Sequence, residues 1–238
     1  MLRFDKVGWV AGGEAVLDGL DLSVSPGELV VMLGASGVGK TSVLRLSAGL
    51  IGPRSGAVVN SFTSTAMVFQ EPRLMPWATA LVNVALVLEG IEPSRRGAVA
   101  ASWLGRLGFG DADMGKHPGQ LSGGMRARVA VARAFATGAD LILMDEPFVS
   151  LDLGLRRNLQ VEVRRLAVET GVAVLFVTHD LTEAVSLADR IVVLEGRPAR
   201  VVADLRQTPP VRISQVWEAA AALSVRPELA SVVAGLGD

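Results

Sequence analysis

One loop constrains this chain more than any other feature: a glycine-rich octapeptide between an apolar run and a helix-forming run. The loop is Gly34-Ala35-Ser36-Gly37-Val38-Gly39-Lys40-Thr41, and the apolar run before it is Leu29–Leu33. Glycines at this spacing let successive backbone N–H groups converge on phosphate oxygens. A helix predicted over residues 40–49 adds the partial positive charge of its N-terminus. The loop therefore predicts a strand–loop–helix unit that binds the phosphates of ATP.

Three side chains of this unit have predicted roles of their own. We expect Lys40 to reach the β and γ phosphates and the Thr41 hydroxyl to ligate Mg²⁺. Ser42 follows directly and is placed to contact a phosphate oxygen. The alternative is a chance glycine-rich turn, against which the strand–loop–helix context argues.

A second apolar run, residues 141–144, ends in two acids and a proline. Ligands of open α/β sheets lie at the carboxyl ends of the strands, so Asp145 is predicted to bind Mg²⁺, directly or through water. Glu146 is predicted to lie near the γ phosphate, where a carboxylate orients or deprotonates the attacking water. Taken alone, the same pair is equally compatible with an acidic loop after a core strand.

The order of apolar and amphipathic runs predicts the fold class. Strand and helix patterns alternate after the first half of the chain: strand 141–144, helix 153–169, strand 172–177, helix 182–187 and strand 191–194. This alternation indicates βαβ units and a mostly parallel sheet. Residues 2–31 predict an antiparallel β region, and residues 76–136 predict an inserted helical subdomain. We expect an α/β fold of the P-loop NTPase (RecA-like) type, one domain over residues 1–238, with a short tail over residues 206–238.

Composition excludes several classes of protein. The 238 residues carry 23 basic and 24 acidic side chains, so the chain has no long-range field that attracts nucleic acid. The absence of cysteine excludes disulfides and thiolate metal sites, and two histidines are too few for a dedicated zinc site. No apolar run approaches the ~20 residues that span a bilayer. We therefore expect no nucleic-acid partner and no membrane crossing by the chain itself.

A second glycine element, Leu121-Ser122-Gly123-Gly124-Met125, precedes another helical run. Ser122 suits an N-cap, and the two glycines permit close approach of an anion. On spacing alone, a capped helix start explains the same residues.

The order of these motifs resembles that of the ATP-binding cassette family. The resemblance extends from about Leu2 to Arg197 and rests on several short motifs in one order: the loop of residues 34–41, Gln70, Ser122-Gly123-Gly124, Asp145-Glu146-Pro147, Ser150-Leu151-Asp152 and Thr178-His179-Asp180.

The resemblance implies a dimer of two copies that pair head to tail. Each ATP would lie between the glycine loop of one copy and Ser122, Gly123 and Gly124 of the other. Asp152 would belong to a loop that crosses the interface. Met125 stands where the family commonly has glutamine, so any polar contact made by that glutamine is lost.

The resemblance also implies the remaining site residues. His179 would contact the γ phosphate and act in catalysis with Glu146. Gln70 would contact both Mg²⁺ and the attacking water. An aromatic residue near the N-terminus is expected to stack on adenine, and Trp9 is the best candidate. A core or edge position is the alternative for Trp9.

Residues 71–77 are similar to those of bacterial importer cassettes for nitrate, sulfonates, taurine and thiamine precursors. This implies that Leu74, Met75 and Trp77 form an apolar surface that receives a membrane permease, although Trp77 could instead pack inside the helical subdomain. The chain would then hydrolyse ATP at the cytoplasmic face of the inner membrane, with a periplasmic solute-binding protein as an indirect partner.

Two other functions compete with import. One is a soluble cassette protein, such as an iron–sulfur assembly factor, and the other is a P-loop regulator that binds nucleotide without turnover. Glu146 and His179 argue against the regulator. A group of arginines on the predicted helix 153–169 is interpreted as a solvated helix face: Arg156, Arg157, Arg164 and Arg165.

Overall fold

The computed structural model describes residues 1–210 and 213–226 of the chain. Its strands are β1 (Leu2–Ala11), β2 (Glu14–Val24), β3 (Leu29–Leu33), β4 (Ser55–Asn60), β5 (Thr65–Val68), β6 (Leu141–Asp145), β7 (Ala173–Thr178), β8 (Arg190–Glu195) and β9 (Arg200–Arg206). Its helices are α1 (Lys40–Ser47), α2 (Ala80–Ala85), α3 (Pro93–Arg106), α4 (Asp111–Met114), α5 (Gly123–Ala136), α6 (Leu153–Thr170), α7 (Leu181–Leu187) and α8 (Ile213–Ser224).

The larger sheet has six strands in the order β5-β6-β7-β3-β8-β9. All neighbours in it are parallel except β8 and β9, which are antiparallel. The smaller sheet is antiparallel, with the order β2-β1-β4. The predicted fold class, a mostly parallel sheet with an N-terminal antiparallel region, is confirmed.

The core lies on both faces of the larger sheet. One apolar cluster fills the space between this sheet and the helices α5, α6 and α7. The other lies between the larger sheet, the smaller sheet and α1. Every residue of β3 and β7 is buried, because helices or the second sheet cover both faces of these strands.

The inserted helical segment lies between β5 and β6 and consists of α2 to α5 with a short 3₁₀ turn at Pro118–Gln120. Its first helix begins at Ala80, where the Thr79 side chain accepts a hydrogen bond from the Val82 amide. The preceding residues 70–79 are not helical. The helical part thus starts four residues later than the predicted boundary at residue 76.

Two further details differ from the sequence predictions. Helix α1 ends at Ser47 instead of residue 49, because Gly49 has a left-handed backbone with φ 68°. In addition, β9 was not predicted; it is an edge strand whose side chains are mostly exposed. Of the predicted tail, residues 213–224 form α8, and residues 227–238 lie outside the described residues. Within the described ranges, no helix has the length and apolar character needed to cross a bilayer.

Candidate functional site

The glycine loop lies between the end of β3 and the start of α1, and it packs against β8 and β2. A side chain at Gly34 would meet the Leu194 carbonyl oxygen of β8 at 2.7 Å. Gly39 has φ 117°, and a side chain there would lie 3.0 Å from the side chains of Val16 and Leu17 on β2. Glycine is therefore required at both positions, by close packing at Gly34 and also by backbone conformation at Gly39.

The Lys40 ammonium points back into this loop. Its Nζ lies 2.7 Å from the Gly34 carbonyl oxygen and 2.9 Å from that of Ala35, and it donates hydrogen bonds to both. Nζ is also 3.3 Å from Oε1 of Glu146. Burial lowers the pKa of Lys40, while the neighbouring Glu146 carboxylate opposes that shift. The Lys40 ammonium thus lies at the place where the sequence predicts phosphate.

The hydroxyl of Thr41 lies beside the carboxylate of Asp145. Thr41 Oγ1 donates a hydrogen bond to Asp145 Oδ1 at 3.1 Å. Burial raises the pKa of Asp145, and the hydrogen bond from Thr41 partly offsets that rise. Two residues that the sequence predicts as Mg²⁺ ligands, 104 positions apart, thus lie side by side in the fold.

Glu146 turns away from Asp145 and faces a different set of groups. Its backbone is left-handed, with φ 43°, and its amide donates to the Val177 carbonyl oxygen at 3.1 Å. Its Oε2 is 2.8 Å from Nδ1 of His179, which follows β7. Because Oε1 contacts Lys40, the Glu146 carboxylate bridges the glycine loop and His179.

A magnesium ion suits the oxygen atoms at this site, although the protein alone does not complete its coordination. In the ranges 1–210 and 213–226, no three His, Asp or Glu side chains are grouped so that they could hold a metal. Mg²⁺ is usually bound by one or two protein oxygens together with phosphate oxygens and water. Thr41 and Asp145 fit that requirement. Gln70, the third predicted ligand, is exposed two residues beyond β5, whose Val68 pairs with Met144.

The second glycine element begins α5 as predicted. Ser122 is the N-cap, and its Oγ accepts a hydrogen bond from the Met125 amide at 3.2 Å. Gly124 is buried, and a Cβ there would lie 1.9 Å from Cδ2 of Leu155 on α6, whereas the nearest atom at Gly123 is 3.9 Å away. Gly124 therefore has a packing role that the sequence does not reveal. Among the described residues, no hydrogen bond joins this element to the glycine loop of the same chain.

Trp9 lies on β1, opposite Leu17 of β2, and is half-buried against the smaller apolar cluster. Since Leu17 also adjoins Gly39, the strand pair that carries Trp9 borders the glycine loop. The adenine-stacking role of Trp9 stays a prediction.

The apolar surface predicted before α2 is present in part. Trp77 is 76% exposed and Met75 is also exposed, so the alternative of a buried Trp77 is wrong. Leu74 differs from the prediction, because it packs against the core. Val82 of α2 and Leu86, directly after it, are exposed as well.

Arg156 belongs to a group of charged residues beside the site that the sequence motifs did not predict. Arg156 donates to Asp180 Oδ2 at 3.2 Å, to the Val149 carbonyl at 3.2 Å and to the Leu151 carbonyl at 3.3 Å. It thus connects the loop after Glu146 with the loop that carries His179.

The interpretation of four arginines as a solvated helix face is therefore wrong for two of them. Arg156 makes the contacts just described, and Arg164 pairs with Asp189 at 2.6 Å. No local spacing signals the role of Arg156, since its partner Asp180 lies 24 positions away on another element.

Comparisons with known proteins agree with this geometry. The sequence profile of the ABC transporter family matches residues 17–149, more than half of the chain. The taurine import ATP-binding protein of Chromobacterium violaceum is 41% identical over 229 residues, covering 92% of this chain and 86% of that protein. An aliphatic sulfonates import ATP-binding protein of Pseudomonas fluorescens is 48% identical over 183 residues, covering 76% and 68%.

Solved structures show the same fold. A dimeric structure of a post-hydrolysis state of an ATP-binding cassette, bound to ADP and Pi, superposes with a TM-score of 0.77 at 28% identity. The match covers 87% of this chain and 98% of that one. The chain therefore belongs to the ABC transporter family and has the fold of its ATP-binding cassettes.

Proposed function

We propose that this chain is the ATP-hydrolysing subunit of a bacterial importer and energises the uptake of a small solute through a separate permease. The observation that carries the proposal is the meeting of Lys40, Thr41, Asp145, Glu146 and His179 at the carboxyl ends of β3, β6 and β7. The named relatives act in the import of taurine and aliphatic sulfonates. We propose that the imported solute is of this kind: a sulfonate, taurine, nitrate or a thiamine precursor.

Glu146 is proposed as the group that orients or deprotonates the attacking water. Its carboxylate lies between Lys40, at 3.3 Å, and His179, at 2.8 Å, so both oxygens are already directed by partners. A carboxylate fixed in this way acts as a general base or as a positioning group for water. We assign His179 to the γ phosphate, where its imidazole would donate a hydrogen bond to the phosphate oxygens as negative charge develops on them during transfer.

The glycine loop is proposed to hold the phosphates through its backbone amides, and Lys40 to hold the β and γ phosphates. Thr41 and Asp145 would hold Mg²⁺, with Gln70 as a further ligand. Bound there, the ion neutralises charge on the phosphate oxygens. The Asp145 carboxyl, whose pKa burial raises, would stay ionised beside a cation.

The site is proposed to be complete only in a head-to-tail pair of chains. Ser122, Gly123 and Gly124 make no hydrogen bond with the glycine loop in the described part of one chain, so a second copy would supply them to the γ phosphate. The dimeric state of a similar solved cassette supports this arrangement. Asp152 would lie in the loop that crosses the interface.

The permease is proposed to bind the exposed surface formed by Met75, Trp77, Val82 and Leu86. Large apolar side chains that are exposed together mark interaction sites. We therefore propose that the chain lies at the cytoplasmic face of the inner membrane as a peripheral subunit, with a solute-binding protein as an indirect partner. We further propose one cassette domain over residues 1–238.

The proposal is tested by Glu146→Gln, with Glu162→Gln as the matched control on the exposed side of α6. We expect Glu146→Gln to lower ATP turnover by about 10²-fold or more, since general-base groups contribute about 10²–10⁴-fold. ATP binding should persist, and the variant should form a stable ATP-dependent dimer on size-exclusion chromatography. Turnover by Glu146→Gln at the rate of Glu162→Gln would refute the assignment.

A further inference from the structure

A groove separate from the nucleotide site lies between α6, α7 and α8, with a cavity volume of about 110 Å³. The side chains that line it include three large apolar ones that are exposed: Leu153 and Val161 of α6, and Trp217 of α8. They are 54%, 62% and 51% exposed, respectively. Apolar side chains exposed together in a concave surface are typical of a ligand-binding site.

The same groove contains a cation, Arg157, that has no acidic partner among the described residues. The Arg157 guanidinium lies over the Trp217 ring, with Cζ 5.3 Å from the ring centroid. Its neighbours on α6, Arg156, Arg164 and Arg165, all form ion pairs. Within residues 1–210 and 213–226, no carboxylate lies within ion-pair distance of Arg157. In the described part of the chain, the groove therefore combines an apolar floor with a guanidinium that no carboxylate pairs.

We propose that this groove binds a small amphipathic monoanion, with its carboxylate or sulfonate group on Arg157 and its short apolar chain against Leu153, Val161 and Trp217. A guanidinium binds planar or tetrahedral oxyanions with two parallel hydrogen bonds. The small cavity volume suits a free molecule with one short chain, in contrast to a phospholipid with two acyl chains.

A ligand in this groove would also contact the residue that connects the catalytic loops. Arg156 lines the groove, and it holds Asp180 on one side and the carbonyl oxygens of Val149 and Leu151 on the other. Its buried Nε donates no hydrogen bond to any described residue. A sulfonate held by Arg157 lies in the groove that Arg156 also lines, where its negative charge competes with Asp180 for the Arg156 guanidinium. The loops that carry Glu146 and His179 are then held less firmly. Occupancy therefore inhibits ATP turnover. This coupling rests on the proposed roles of Glu146 and His179.

Calorimetry with hexanesulfonate tests the binding step on the full chain. We expect hexanesulfonate to bind. The dissociation constant should rise about tenfold or more, or by 1.4 kcal/mol, for methanesulfonate, which lacks the apolar chain, and for hexanol, which lacks the charge. Arg157→Gln should weaken binding similarly, and Arg165→Gln, a charge removal elsewhere on α6, should not. Val161→Glu provides a second variant, because its carboxylate would repel the ligand. Equal binding by wild type and both groove variants would overturn the site.

Two further measurements complete the test. Hexanesulfonate should inhibit the ATPase of the wild-type chain but not of Arg157→Gln at the same concentration. Binding without inhibition would overturn the coupling. Vesicles of phosphatidylglycerol should not bind, and binding to them that Arg157→Gln abolishes would overturn the assignment to a free molecule. Calorimetry on Glu146→Gln keeps the two proposals apart, since the groove should bind there whether or not Glu146 is catalytic.

Discussion

The two glycines after Ser122 are predicted to respond in opposite ways to the same substitution. A methyl group at Gly124 would lie 1.9 Å from Cδ2 and 3.2 Å from Cγ of Leu155, because α5 and α6 pack closely there. A methyl group at Gly123 has only Nη2 of Arg126 near it, at 3.9 Å. We therefore expect Gly124→Ala to affect folding, and Gly123→Ala to affect only the contact with a partner's nucleotide.

The magnitudes follow from the two environments. Overpacking costs about 1–3 kcal/mol, and a contact of 1.9 Å requires Leu155 to move by more than an ångström. Alanine regains at most about 1 kcal/mol of helix propensity at either position. The expected net loss for Gly124→Ala is about 1–2 kcal/mol, which corresponds to a fall in Tm of roughly 2–8 °C for a chain of this length. Gly123→Ala should keep or slightly raise the Tm.

Thermal melts of the two variants without ATP, followed by ATP-dependent dimerisation on size-exclusion chromatography, check this prediction. Gly123→Ala should fold normally and dimerise poorly, because its methyl group would stand between α5 and the partner's γ phosphate. Leu155→Ala provides an internal control for Gly124, since it removes the three atoms nearest to the added methyl group. In that background Gly124→Ala should cost nothing. An additive loss in the double variant, or a wild-type Tm for Gly124→Ala, would refute the steric argument.

Two other predictions concern the metal site and the permease surface. Burial raises the pKa of Asp145 above 3.8, so the folded chain binds more protons than the unfolded chain between the two pKa values, and stability falls as pH rises through that interval. Asp145→Asn should therefore raise the Tm at pH 7 without nucleotide. Melts at several pH values should show that this gain shrinks toward pH 4. Trp77→Ala should change stability by no more than about 0.5 kcal/mol, yet the permease should be lost during purification from membranes. Trp103→Ala removes a half-buried ring stacked on Phe135 and should cost about 2 kcal/mol.

The central strands could be predicted from the sequence because a parallel sheet buried on both faces requires continuous apolar runs. β6 and β7 were located within a residue or two for this reason. β9 was not, since an antiparallel edge strand with charged residues at both ends resembles a loop in composition. The pairing of β1 with β4 was also beyond prediction, because residues about 50 positions apart carry no local signal of their register.

The motif residues of the site were predictable because phosphate binding requires particular residue types at fixed spacing. Thr41 and Asp145 lie side by side, and Lys40 points into the glycine loop; their roles toward Mg²⁺ and phosphate stay predictions. Arg156 was not predictable in the same way. Its partner Asp180 lies 24 positions away on another element, and arginines along a helix look alike whether they face water or a neighbouring loop.

The separation of Asp145 from Glu146 shows what the motif alone leaves open. Successive side chains of a strand point to opposite faces of the sheet, so a continued β6 would send Glu146 away from Thr41 and the glycine loop. The left-handed backbone at Glu146, φ 43°, ends the strand instead, and the hydrogen bond to the Val177 carbonyl anchors that turn against β7. A non-glycine residue in this region costs about 1–3 kcal/mol. Glycine would adopt this turn without that cost but would supply no carboxylate. With Glu146 the turn brings a carboxylate between Lys40 and His179.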